Sequence, residues 1–137
     1  MTAWRAVRSL SAADGVLLIE AAALLLVVRL RLSRVGFHSL RTALQRKPPS
    51  RVLPRDRVVW AVKAVARRFP ATPCLVEALV MNTLLRRHGH VSDLKIGVRL
   101  GDRTRRDIPL DAHAWVECDG RIVVGAVADL DEYAVLA

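Results

Sequence analysis

Apolar and polar positions change their period midway along this chain, and the change separates a helical first half from a stranded second half. From Gly15 to Val28 the run GVLLIEAAALLLVV is apolar except for Glu20. Ser11 followed by Asp14 resembles a capping box, so a helix is predicted from there to about Leu32, broken by Gly36. A short basic helix is expected from Phe37 to about Arg46, and the prolines of KPPSRVLP, Lys47 to Pro54, predict a loop. In DRVVWAVKAVARRF, Val58, Val62, Val65, Ala66 and Phe69 share one face while Arg57, Lys63, Arg67 and Arg68 lie off it. That is a surface helix laying one stripe on a core. After the prolines of PATP a further helix is predicted from Cys74 to about His88. Its apolar residues fall nearly all the way round, which makes it central and buried.

Beyond Gly89 the period becomes two. In DLKIGVRL, Leu94, Ile96, Val98 and Leu100 share a face, predicting a strand. AHAWVEC and RIVVG read as two further strands, joined by Asp119-Gly120, a strong two-residue hairpin signal. The tail from Asp129 to Ala137 adds a short strand. The expected fold class is α+β: a helical N-terminal half, then a buried Cys-bearing helix packed on an antiparallel sheet. An N-terminal helical region over 1–53 and a core over 54–137 are expected to form one compact unit.

Composition narrows the function. With 53% apolar and 26% charged residues, the chain is globular rather than disordered. The net charge is +9, and 19 of the 22 basic side chains are Arg, so the surface attracts acidic partners. Nucleic acid is not expected among them: aromatics are 4%, and no helix-turn-helix or base-stacking motif stands out. The two cysteines, Cys74 and Cys118, are too few for a disulfide scaffold. No metal-ligand spacing is present, and neither a metal nor a cofactor is expected. Reduced thiols and a cytoplasmic location follow. The Gly15–Val28 run, 14 residues long, is shorter than the roughly 20 that a membrane span needs. It is nonetheless longer than a small core requires of one helix, so part of it is expected to face a partner.

Two residues carry candidate chemistry. Cys74 opens a helix, where the dipole favours a thiolate, although a buried cysteine that only packs is a common alternative. His113 sits in DAHAWVECDG. Alternation places Asp111, His113, Trp115 and Glu117 on one face and Ala114, Val116 and Cys118 on the other. A histidine there also serves as a hydrogen-bonded structural residue in many strands. Together, a helix-opening Cys and a strand His make a thiolate–imidazolium pair plausible: the His takes the thiol proton and later protonates the leaving amine.

The segments PCLVEALVMNTLLRRHG, LKIGV and HAWVECDGRIVVG, in that order, resemble the transglutaminase-like branch of the papain-type fold. Within it the similarity is to the stand-alone cysteine peptidases of lasso-peptide biosynthesis, which remove the leader from the precursor. The resemblance covers Pro73 to about Gly125 well and the rest loosely. It implies Cys74 as nucleophile, His113 as general base and, commonly, an Asp on the strand after the hairpin. Here the chain departs. Pairing Cys118 with Arg121 places Ala126 opposite His113, and no carboxylate is there. Asp129, the nearest downstream carboxylate, is the expected third member. Asp111 shares the His113 face but lies about 7 Å along the strand, and Asp119 reads as a turn residue. A dyad oriented by a backbone carbonyl is the other arrangement left open.

The resemblance further implies a precursor peptide as substrate, a separate leader-recognition protein, and the asparagine-synthetase-like macrocycle-forming enzyme as a further partner. A transglutaminase-like acyltransferase is the main alternative, because an amine can capture the same thioester. A non-catalytic basic module is the lesser one.

Overall fold

The computed structural model describes residues 12–45, 52–69, 72–100, 110–127 and 130–136. Four helices come first: α1 (Ala12–Val35), α2 (Phe37–Gln45), α3 (Arg55–Arg68) and α4 (Cys74–Arg87). Then come β1 (Ser92–Leu100), β2 (Leu110–Cys118), β3 (Arg121–Val124), a 3₁₀ turn at Leu130–Glu132 and β4 (Ala134–Val135). The sheet order is β3-β2-β1-β4, all pairings antiparallel. The α+β class expected from the change of period is the observed one.

α4 is the centre. From Val76 to Leu85 only Glu77 escapes full burial, matching the all-round apolar pattern. Its C-terminal turn is tied to the start of β1: Ser92 donates to Asn82 Oδ1 at 2.7 Å, and Arg86 donates to the Ser92 carbonyl at 2.9 Å. The short connection from Arg87 to Ser92 passes through Gly89 at φ 82°. α1 and α3 close the other side of the core through Leu17, Leu25, Val28, Val58 and Val62. Glu20, the one charge in the apolar run of α1, reaches the end of α4. It lies 3.8 Å from Arg87 Nη1 and 3.7 Å from the buried His88 Nε2. Asp14 accepts from Arg57 at 3.0 Å and joins α1 to α3. Ser11, its partner in the expected capping box, lies outside the described residues.

α1 runs three residues past the expected Leu32, and Gly36 follows at φ 78°, the left-handed conformation that ends helices. No described helix is long and apolar enough to cross a membrane.

Candidate active site

Period-two alternation gives β2 two unlike faces. Ala114, Val116 and Cys118 are buried and belong to one apolar cluster with Leu79, Leu84, Leu85 and Leu94. α4 packs on this face. His113, Trp115 and Glu117 take the other.

Cross-strand pairing sets Gly97 opposite His113 and Lys95 opposite Trp115. Gly97 supplies the room that Trp115 needs: a Cβ there would lie 2.9 Å from the far edge of the indole and 2.8 Å from Tyr133 Cβ. Trp115 is thereby buried at 3% exposure, and its Nε1 donates to Glu117 Oε1 at 3.3 Å. Glu117 thus serves the indole. The His113 ring lies between aromatic neighbours, 6.1 Å from the Trp115 centroid and 5.7 Å from Tyr133. Arg99 stands 4.8 Å over the Tyr133 ring and bonds Glu132 at 3.1 Å.

The Asp119-Gly120 hairpin forms as its chemistry requires, with φ of 53° and 75° at the two loop residues. Asp119 also accepts from Arg55 at 3.1 Å, which ties the turn to the start of α3. Cys118 pairs with Arg121 as expected, but the ladder then shifts. Glu117 pairs with Ile122 and Val116 with Val124, leaving Val123 as the extra residue of a bulge. The simple register that set Ala126 opposite His113 is therefore corrected by one residue. What meets the imidazole is a backbone oxygen: His113 Nε2 lies 2.6 Å from the Gly125 carbonyl. Gly125 has φ 83°, and a Cβ there would lie 2.5 Å from the Ala114 carbonyl oxygen. Only glycine brings its carbonyl this close to β2.

A carbonyl can only accept, so Nε2 carries the proton and donates. The neutral ring then keeps its lone pair on Nδ1. Asp129, the expected third member, lies outside the described residues, as does the arginine-rich loop Arg103–Asp107.

Cys74 is the first residue of α4, and its side chain is exposed. Pro73 before it supplies no side-chain cap, so among the described residues no N-cap side chain satisfies the first-turn N–H groups. The first backbone bond of the helix runs from Glu77 N to the Pro73 carbonyl at 3.2 Å. Burial raises the pKa of the Glu77 carboxyl, and Lys63 and Arg67 oppose the shift.

Cys74 and His113 are carried by α4 and β2, which pack against each other. From the Asn82–Ser92 contact, eight helical residues back to Cys74 span about 12 Å. Five strand residues on to Gly97, the partner of His113, span about 16 Å. They approach from different faces, because α4 covers the Ala114 side. Among the described residues no hydrogen bond joins the thiol to the ring. Cys118 is buried and packs against α4, with its thiol pKa raised first by burial and then by Asp119.

Among the described residues no cluster of His, Cys, Asp or Glu could hold a metal ion. No curated protein and no solved structure matches the chain. A family model described as the transglutaminase-like superfamily matches residues 22–137. That span includes the helix that begins at Cys74, the His113 strand and the hairpin. The chain belongs to the transglutaminase-like superfamily.

Proposed function

We propose that this protein is a cysteine endopeptidase that removes the leader from a ribosomally made lasso-peptide precursor, with Cys74 as nucleophile and His113 as base. The observation that carries the reading is the hydrogen bond from His113 Nε2 to the Gly125 carbonyl. It orients the ring and selects the tautomer in which Nδ1 is basic, the role a third catalytic residue otherwise fills. The reaction requires Nδ1 to meet the thiol.

In this reading Nδ1 takes the Cys74 proton and the thiolate attacks the scissile carbonyl. The imidazolium protonates the leaving amine, and water, deprotonated by the same His113, hydrolyses the thioester. The backbone N–H of Cys74 is one donor to the oxyanion. Trp115 and Tyr133 shield the ring from bulk water. The choice of a lasso precursor rests on the resemblance of PCLVEALVMNTLLRRHG, LKIGV and HAWVECDGRIVVG. A separate recognition protein holds the leader, and the macrocycle-forming synthetase takes the released core peptide.

The test is mass spectrometry of precursor incubated with this chain and the recognition protein. Cys74→Ala lowers leader removal by several orders of magnitude, and Cys118→Ala keeps it. Continued cleavage by the Cys74→Ala variant refutes the reading.

A further inference from the structure

The outward face of α1 carries a pattern that the core does not use. Leu17, Ala21, Leu24, Leu25 and Val28 are buried against α3 and α4. Between them, Val16, Ile19, Ala23, Leu26 and Leu30 face solvent, with Ile19 71% and Leu30 63% exposed. Their spacing of three, four, three and four residues is that of the a and d positions of a heptad repeat. A strip of that width matches the seam of one opposing helix.

The charges beside the seam state what kind of helix. Arg29, Arg31 and Arg34 cluster around Leu30, all exposed, and among the described residues none of the three makes an ion pair. Arg31 and Arg34, with Val27 and Leu30, line an open recess of about 270 Å³. Alongside, a groove of about 320 Å³ runs between α1 and α2, lined by Glu20, Val27, Arg31, Leu40, Leu44 and Arg87. Arg87 brings to this groove a buried Nε–H that has no hydrogen-bond partner among the described residues. The one acid there, Glu20, already lies between Arg87 and His88.

We propose that this seam docks an amphipathic helix of a protein partner, with apolar residues at its a and d positions and carboxylates at the flanking e and g positions. Its apolar row packs on Ile19, Ala23, Leu26 and Leu30, and its carboxylates meet Arg29 and Arg34, which flank the seam at g and e, with arginine offering bidentate geometry. A second copy of this chain is the wrong occupant. Each copy carries a net charge of +9, and parallel pairing would set Arg29 against Arg34 of the other copy. An anionic lipid surface shares the charge logic but has no use for a strip one helix wide.

The probe is a labelled synthetic peptide of roughly three heptads with Leu at a and d and Glu at e and g. Its reference is the same peptide with Lys at e and g. By fluorescence anisotropy on the full chain, the acidic peptide is expected to bind about tenfold or more tightly than the basic one. The double variant Leu26→Ser, Leu30→Ser is expected to lose about tenfold or more of that affinity while its melting temperature stays near that of the parent, because both side chains are exposed. Arg29→Glu with Arg34→Glu is expected to reverse the preference between the peptides. Three results overturn the proposal: equal or absent binding of the two peptides, a dimer in sedimentation that Leu30→Ser abolishes, or binding to phosphatidylglycerol vesicles without binding to the acidic peptide.

Discussion

The two faces of β2 belong to one strand, yet they are built on different principles. The Ala114–Val116–Cys118 face is dry and apolar, and the buried helix α4 lies on it. On the His113–Trp115–Glu117 face the two ring N–H groups have defined partners: the indole N–H has Glu117, and the imidazole N–H has the Gly125 carbonyl. The first face holds the sheet in place. The second holds one ring in one tautomer. Period-two alternation lets a single strand do both, so a change on one face can leave the other working.

The two cysteines give the largest expected contrast. Cys74 is exposed at a helix start, whereas Cys118 is buried with a raised thiol pKa. Iodoacetamide at neutral pH, followed by peptide mapping, should label Cys74 faster by about 100-fold or more, since the thiolate is the reacting form and access limits the rest. Equal labelling would erase the distinction between the two sites.

Gly125→Ala tests the polar face. The substitution pushes the Ala114 carbonyl and moves the acceptor of His113, so leader removal should fall about 10- to 100-fold. The control is Gly120→Ala. Gly120 also has positive φ, 75°, but among the described residues nothing lies within 4 Å of its Cβ position. Both variants bear backbone strain of about 1–3 kcal/mol, and only the first should change the ¹⁵N signature of the His113 tautomer. An unchanged His113 spectrum in Gly125→Ala would show that the carbonyl does not hold the ring.

Val116→Ala tests the dry face. Val116 is fully buried, so denaturant unfolding should show a loss of about 1.5–3 kcal/mol. The His113 tautomer signature should persist. If it shifts as much as in Gly125→Ala, the two faces are coupled rather than independent.

The smallest expected effect lies in the first turn of α4. Burial raises the Glu77 pKa above its ordinary 4.5, so the folded state holds the proton more tightly than the unfolded chain. Its contribution therefore favours folding at acid pH and declines as pH rises from the unfolded value through the raised folded one. Glu77→Gln should remove that decline and raise the melting temperature slightly at neutral pH, with no gain at pH 4. A lower melting temperature at neutral pH would mean that Lys63 and Arg67 outweigh burial.

What the sequence determined by itself is local. The strand alternation around His113, the Asp119-Gly120 turn, the helix opening at Cys74 and its full burial were legible because each depends on period or backbone stereochemistry within a few residues. The tertiary structure decided the rest. The bulge at Val123 left no mark in RIVVG, and it changed what meets His113 from a side chain position to the Gly125 carbonyl. Gly97 reads as an ordinary strand glycine until Trp115 and Tyr133 are packed over it. The apolar run of α1 has apolar residues on every side, so no periodicity could separate Leu25, fully buried, from Leu26, half-exposed. Only the positions of α3 and α4 made that division, because burial is a property of neighbours in space, and a single apolar run carries no information about which of its sides they will cover.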